Sequence, residues 1–263
     1  MEEGLQYISI SKTKNGAVEK KEDVVAVEAP LEIQVKLWNE DEPRAISVTM
    51  RTPGDDEELA LGFLFTEGIL TNYNQVKAVK YLGENIVKVY LNKGVTIDLQ
   101  KAERNFYTTS SCGVCGKASI DAITTKTQFK IQNKADLKDE ILFGLKNKLG
   151  EQQSLFTATG GIHAAALFSE SGNLLTLQED VGRHNALDKL VGDAFRTNQL
   201  PLENKILLLS GRASFELIQK ATMAGIGTIV SVGAPSSLAV ELAKENGQTL
   251  IGFLKEGSYN LYT

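Results

Sequence analysis

Two cysteines, Cys112 and Cys115, are the only ones in the 263-residue chain, and they sit together in Thr109-Ser-Ser-Cys-Gly-Val-Cys-Gly-Lys117. Glycines beside both sulfurs let the backbone turn tightly and leave the thiols approachable. A helix opening at Gly116 or Lys117 would aim backbone N–H groups and its dipole at them, and Lys117 adds a positive charge; both favour thiolate. A thiolate can attack a sulfur donor and hold the transferred atom as a persulfide. Other readings of the pair compete. One is half of a structural zinc site completed by His163 and His184, the only histidines, although these two are too far apart for the short H-x₃₋₅-H spacing of a zinc finger. Another is a thioredoxin-like disulfide exchanger, whose cysteines should follow a buried strand; Asn105-Phe-Tyr-Thr-Thr-Ser-Ser is too polar for one. A zinc deaminase needs H-x-E, and His163-Ala164-Ala165 has alanine where that glutamate belongs.

The second half of the chain carries turns suited to anions. Ser210-Gly-Arg-Ala-Ser214 follows an apolar strand and precedes a helix. There Gly211 permits close backbone approach, Ser214 offers a hydroxyl, Arg212 can fork onto phosphate oxygens, and the helix N-terminus favours negative charge. Gly233-Ala-Pro-Ser-Ser237 occupies the equivalent place one crossover later. Glu179-Asp-Val-Gly-Arg-His-Asn185 packs Arg183 and His184 into a helix start; capping chemistry with a surface arginine is the simpler reading of that loop alone. Thr159-Gly-Gly-Ile-His163 is either a glycine turn with a core histidine or a fourth contributor. In the last strand Phe253 can stack on a ring, while Lys255 and the Gly257–Ser258 turn can meet an anion. Arg51-Thr-Pro-Gly-Asp-Asp-Glu-Glu58 reads as mainly structural.

These segments must be placed by elements that the hydrophobic pattern predicts. Residues 1 to about 105 are mostly β. Leu31, Ile33, Val35 and Leu37 alternate with polar residues, and further strands fall near Tyr7–Ser11, Ala45–Met50, Val76–Leu82 and Ile86–Leu91. One helix capped by Asp55 puts Leu59, Phe63 and Leu64 on a face and ends near Gly68. Helices follow over Lys117–Thr125 and from Asp136, then a hairpin of His163–Phe168 and Leu174–Gln178. Helix Asn185–Arg196, strand Lys205–Leu209, helix Ser214–Met223, strand Thr228–Val232, helix Ser237–Asn246 and strand Thr249–Leu254 complete the chain. Strands separated by single helices predict parallel crossovers, hence a mixed sheet covered by helices. In such sheets ligands bind at the carboxyl ends of the strands.

Composition narrows the function classes. The formal net charge is −5, which argues against a nucleic-acid binder that must neutralise phosphates over a broad surface. Met-Glu-Glu-Gly lacks the basic start and apolar core of a signal peptide, and no apolar run approaches a membrane span. A cytoplasmic protein is expected.

Taken in order, these segments resemble the formate dehydrogenase accessory sulfurtransferases, the FdhD/NarQ family of sulfur carriers. The resemblance runs from about residue 25 to the end. It rests on Thr52-Pro-Gly-Asp-Asp-Glu-Glu-Leu-Ala-Leu-Gly-Phe-Leu64, Ser111-Cys-Gly-Val-Cys-Gly116 and Thr159-Gly-Gly-Ile-His-Ala-Ala165, continuing with Glu179-Asp-Val-Gly-Arg-His-Asn-Ala-Leu-Asp-Lys189 and Ser210-Gly-Arg-Ala-Ser-Phe-Glu216.

The resemblance implies an α/β fold. A cytidine-deaminase-like mixed sheet covered by helices would span 109–263, behind a smaller β-rich N-terminal domain over 1–108, usually as a homodimer. It implies a carrier that takes sulfur from a cysteine desulfurase and passes it to bis-molybdopterin guanine dinucleotide, before that molybdenum cofactor enters formate dehydrogenase. A guanine nucleotide would be its mimic. The persulfide maps onto Cys112, with Cys115 assisting, and the cofactor stretch onto Phe253, Leu254, Lys255, Glu256, Gly257 and Ser258. Arg183, His184, Gly211, Arg212 and Ser214 join it from the anion-suited turns, and no resident metal is expected. Lys255 stands where the family pattern leads one to expect arginine, which keeps the charge without the bidentate fork. A binding chaperone with a structural cysteine pair is the alternative.

Overall fold

The computed structural model describes residues 4–83, 85–98, 127–131, 134–135 and 137–263. The cysteine pair, the expected helix Lys117–Thr125 and the expected domain boundary at 108/109 all lie outside the described residues.

Alternation sets the first large sheet. Leu31, Ile33 and Val35 of β3 (Ala29–Lys36) are buried while Glu32, Gln34 and Lys36 point the other way. β3 pairs antiparallel with β4 (Arg44–Arg51) and parallel with β6 (Ile86–Leu91), and β5 (Val76–Tyr81) closes the order β4-β3-β6-β5. Ahead of it, β1 (Leu5–Lys14) and β2 (Ala17–Ala26) form a separate two-stranded hairpin. β2 was not expected; Glu19, Lys20, Lys21, Glu22 and Asp23 give it no apolar alternation to read.

The helix α1 (Asp56–Thr66) departs from its expected form in two ways. Asp55 sits in a left-handed conformation (φ 53°) and its side chain makes no capping hydrogen bond. The carboxylate that matters is Asp56, which takes a two-pronged ion pair from the buried Arg51 at 2.7 and 2.8 Å. Nor is one face buried: Leu59, Ala60, Leu61, Leu64 and Phe65 are all inaccessible, the pattern of a helix enclosed on every side.

The second sheet has six strands in the order β12-β11-β10-β9-β7-β8. They are β7 (His163–Ser169), β8 (Leu174–Asp180), β9 (Lys205–Leu209), β10 (Thr228–Ser231), β11 (Thr249–Lys255) and β12 (Ser258–Leu261). β9, β10 and β11 are parallel. β7 is antiparallel to both β8 and β9, and β12 to β11. The helices are α2 (Asp139–Gln152), α3 (Ser154–Thr159), α4 (Arg183–Arg196), α5 (Phe215–Met223) and α6 (Ser237–Glu245). This is the α/β mixed sheet that the sequence pattern implied. The short helix α3 was not expected, and the stretch foreseen as one terminal strand is the hairpin β11–β12.

Strand alternation divides the burial. Ala165, Leu167, Leu207, Leu209, Ile229 and Leu250 face a core shared with α1, α4, α5, α6 and the four-stranded sheet. Ala164, Ala166, Phe168, Ile206, Leu208 and Ile251 face Leu142, Leu145 and Leu149 of α2. Helices therefore cover both faces of the six-stranded sheet. None is long and apolar enough to cross a membrane, among the described residues.

α1 lies against α4 with almost nothing between them. A Cβ added at Gly62 would stand 1.8 Å from the Asp188 carbonyl oxygen, and one at Gly192 would stand 1.8 Å from that of Glu58. The contact is reciprocal, one small residue per helix filling the other's groove. It is bracketed by Arg196 Nη2 on Glu58 Oε1 at 2.6 Å and by the Phe65–Phe195 rings at 4.9 Å.

Alanine normally stabilises a mid-helix glycine position by about 1 kcal/mol. That gain is expected at Gly144 of α2, where an added Cβ meets nothing within 4 Å. At Gly62 or Gly192 the added methyl strikes backbone, so alanine should destabilise by about 3 kcal/mol or more. Denaturant midpoints of the three variants, measured side by side, check the opposite signs.

Candidate functional site

β8, β9, β10 and β11 run in one direction, so their carboxyl ends share an edge with the start of β7. That edge gathers Arg183, His184, Gly211, Arg212, Ser214 and the strand Phe253–Lys255, together with His163 and the Gly233 turn. The sequence segments singled out for anions therefore meet at one place. The shallow depression bounded by Lys138, Glu170, Ser171 and Lys205 lies at the opposite edge and takes no part.

Backbone contacts lock three turns together. The N–H of Gly233 donates to Gly211 O at 2.9 Å, and that of Phe253 donates to Gly233 O at 3.1 Å. Ser236 N–H donates to Ala213 O at 3.0 Å, and Ala213 N–H to Ala234 O at 3.2 Å. The sheet pairing thus continues past the strand ends. Glycine is needed where it does so. A Cβ at Gly233 would press on Gly211 and on the Arg212 nitrogen at 3.0 Å, and one at Gly252 would meet Pro235 at 2.8 Å. A Cβ at Gly211 would stand 3.2 Å from His163 Nδ1, so the imidazole lies directly against this turn.

Phe253 follows Gly252 with φ 55°, a conformation that bulky residues rarely adopt. It sits inside the register shift between Gly252 and Lys255. Such a bulge re-aims a side chain, and Phe253 is left 40% exposed. Leu254 behaves differently: the whole residue is buried, its side chain in the core on the α2 side, so it offers a ligand no accessible surface. Lys255 pairs with Ser258 across the Glu256-Gly257 turn, and all four residues are exposed.

The serines at the two helix starts differ. Ser236 accepts the Ala239 N–H at 3.3 Å and so caps α6. Ser214 makes no capping bond at α5, and its hydroxyl oxygen is buried without a partner. His184 is engaged: its Nε2 lies 2.8 Å from Glu216 Oε2, an ion-pair distance off the line of a hydrogen bond. The other carboxylate oxygen of Glu216 is buried and unpartnered. Arg183, half-buried at the first residue of α4, and Arg212, exposed, have no hydrogen bond or ion pair among the described residues. Burial pushes the His163 imidazole below the ordinary histidine range, and the charges of Arg183 and His184 push it further, with Asp180 opposing.

The Glu179–Lys189 segment proves to be more than a cap and a surface arginine. Glu179 receives the N–H groups of Leu155 and Phe156 at 3.0 and 2.9 Å, which fixes the start of α3. Asp180 is fully buried. Its Oδ1 accepts from Gly182 N–H (2.8 Å) and Asn185 Nδ2 (3.1 Å), and its Oδ2 from Thr52 N–H (3.1 Å) and Lys189 Nζ (2.9 Å). Eight positions on, α4 carries Asp188, which holds Lys220 Nζ at 2.9 and 3.0 Å and accepts Thr66 Oγ1–H at 2.8 Å. Reading the segment as a helix start missed these roles. In the sequence Asn185, Asp188, Lys189 and Arg196 form one polar stripe of the helix, which reads as a solvent face, and only the packing of α1 on that stripe shows that its charges are buried. The histidines of the zinc alternative are placed as above, while its cysteines lie outside the described residues. Among those residues no group of three or more His, Cys, Asp or Glu is set to hold a metal.

A family model described as the FdhD/NarQ family matches residues 26–263. The sulfur carrier protein FdhD of Streptomyces avermitilis is 47% identical, over 96% of this chain and 92% of its own. That of Mycolicibacterium paratuberculosis is 48% identical, over 95% and 93%, and that of the archaeon Sulfolobus acidocaldarius 40%, over 98% and 96%. Among solved structures, one described as a formate dehydrogenase accessory protein from Desulfotalea psychrophila superposes with a TM-score of 0.73, covering 99% of this chain and 97% of that one. At 22% identity it speaks to the fold.

Removing the Arg183 charge should move the His163 imidazole back toward its ordinary pKa without restoring it, because burial is the larger cause. Titration of the His163 ring by NMR in Arg183→Gln and in the parent protein checks this. An unmoved midpoint would mean that the guanidinium does not face the ring.

Proposed function

This chain belongs to the FdhD/NarQ family, and from that premise we propose that it is a sulfur carrier serving the maturation of formate dehydrogenase. The sulfur is borne by Cys112 as a persulfide and delivered to bis-molybdopterin guanine dinucleotide, the substrate held at the strand-end edge.

The loading step conserves atoms and electrons. The Cys112 thiolate attacks the terminal sulfur of a persulfide on a cysteine desulfurase, that persulfide's S–S bond breaks, and the donor cysteine leaves as a thiolate. Cys112 then carries the sulfur, and Cys115 assists by exchange. Its thiolate attacks the outer sulfur, the Cys112 S–S bond breaks, and Cys112 leaves as a thiolate, so the sulfur passes between the two without any change in oxidation level.

One observation carries the substrate half of the reading. The starts of α4, α5 and α6 converge on one edge beside arginines that have no partner among the described residues. Helix N-termini attract anions, and a guanidinium binds phosphate oxygens in pairs. Arg183 and Arg212 are suited to the pyrophosphate groups, with the unpartnered Ser214 hydroxyl buried just behind them at the start of α5. Lys255 adds charge beside them, and the exposed Phe253 offers a stacking face for guanine. His184, tied to Glu216, serves by holding that carboxylate rather than by meeting the substrate.

Two experiments test the two halves. Incubated with a cysteine desulfurase and cysteine, the protein should gain the mass of one sulfur atom, and Cys112→Ala should lose the gain. Loading that survives in Cys112→Ala overturns the assignment of the sulfur-bearing residue. Separately, Arg212→Ala should weaken GDP binding about tenfold, with Arg212→Lys between the two because it keeps the charge but not the fork. Calorimetric titration with GDP reads both.

A further inference from the structure

We propose that Asp180 is a positioning residue for this edge, and that through it the β4–α1 turn of the N-terminal half sets the aim of Arg183. The inference rests on the reading of the edge as an anion site and adds to it a device that holds the site's geometry.

Asp180 ends β8, three residues before Arg183. Its carboxylate receives four donors, two on each oxygen. Gly182 N–H and Asn185 Nδ2 come from the turn and first coil of α4, so Oδ1 fixes the approach to Arg183 from both sides. Oδ2 is held by Lys189, one helical turn further along α4, and by the backbone of Thr52. Thr52 answers from the other side: its hydroxyl oxygen accepts Val181 N–H at 3.2 Å, and its carbonyl accepts from Lys189 Nζ at 2.9 Å. Asn185 extends the clamp, donating to Met50 O at 2.8 Å and accepting from Thr49 Oγ1 at 3.1 Å.

Asp180, Thr52, Lys189 and Asn185 are all buried. Their burial keeps each of them from touching a ligand at the edge. Yet Asp180-Val181-Gly182 is gripped at each backbone N–H that could otherwise turn, by Thr52 on Val181 and by Asp180 on Gly182. Nor is there space for a side chain at Gly182, since a Cβ there would meet Asn185 Nδ2 at 2.8 Å. The next residue is Arg183, whose guanidinium has no partner of its own among the described residues. The backbone sets the Cα–Cβ direction from which that side chain reaches the edge, and here that backbone is fastened to residues some 130 positions earlier. This gives Thr52-Pro-Gly, which reads as mere helix-start chemistry, a part in the site.

The test is a double-mutant cycle with GDP as the probe. The parent protein should bind GDP, and Arg183→Ala should weaken it. Asp180→Asn keeps the shape of the side chain but loses the charge that holds Lys189, and should weaken GDP binding about tenfold. In the Arg183→Ala background Asp180→Asn should cost nothing further, because the group it aims is gone. Thr52→Val, nearly isosteric and lacking only the acceptor for Val181 N–H, should weaken binding in the same Arg183-dependent way. It carries the cycle if Asp180→Asn does not fold. Equal losses in both backgrounds would mark general destabilisation and overturn the proposal, as would full affinity in folded Asp180→Asn. An Arg183→Ala protein that binds as the parent does would overturn it as well. No GDP binding by the parent protein would instead sink the anion-site reading, and the positioning role with it.

Discussion

Where α1 crosses α4 no side chain stands between the two backbones. Gly62 and Gly192 each occupy the space that the other helix's carbonyl would otherwise contest, and this approach sets the spacing of everything around it. α1 carries the four-stranded sheet on its other flank, and α4 lies on the six-stranded sheet. The distance between the two sheets is therefore the thickness of two helices in backbone contact. Close packing of this kind gains dispersion over the whole groove and leaves little latitude for sliding, since interiors at crystal-like density do not deform smoothly.

Around that crossing the chain buries charge, and the arrangement explains why the charge is tolerated. Lys220 is enclosed, which opposes an ammonium, but Asp188 and Glu67 outweigh the burial and hold its pKa above the ordinary lysine value. Thr66, on α1, completes the set at 2.9 Å. Lys189 and Asp180 repeat the scheme one step along α4, with Thr52 as the N-terminal contribution. Buried pairs of this type bring little net stability over an apolar packing, yet removing one partner costs about 3–5 kcal/mol. Their effect is on choice of arrangement. With α4 bearing Asp188 toward α5 and Lys189 toward the β4–α1 turn, a rotation of the helix would strand two ions at once.

The contrast between what the sequence disclosed and what it concealed follows from the same physics. Strands such as Ile86–Leu91 and Lys205–Leu209 were legible to the residue, because one-face or two-face burial leaves a period of two or an unbroken apolar run. The ends of the strands were legible as well, since glycine, serine and arginine cluster there for reasons of turn geometry and charge. β2 was hidden because its hairpin is almost wholly exposed, and exposure imposes no pattern. α1 was misjudged as one-sided because sequence shows which residues are apolar but not how many surfaces will cover them. The largest omission was long-range: nothing local in Thr52 or Asp180 announces that a backbone N–H near residue 50 will meet a carboxylate near residue 180. The cysteine pair was conspicuous by residue type alone, which needs no fold to be noticed.

The proposed substrate imposes one more constraint, and it bears on Glu216. An acid in the first turn of α5 suits the helix, since it faces the positive end of the dipole. It is hostile to a phosphate approaching the same end. A chain with an overall charge of −5 must therefore make its positive field locally, from groups facing the edge, and keep its own acids out of that field. Glu216 is mostly buried, and His184 stands against one of its oxygens. The carboxylate is thus turned to a partner inside the turn, while Arg183, the residue next to His184, is left without one. Adjacent residues on α4 divide the work: one takes up the protein's own anion, and its neighbour remains available for another. The fixed backbone from Asp180 to Gly182 is what allows that division to hold, because a rotation that released Arg183 from the edge would also withdraw His184 from Glu216.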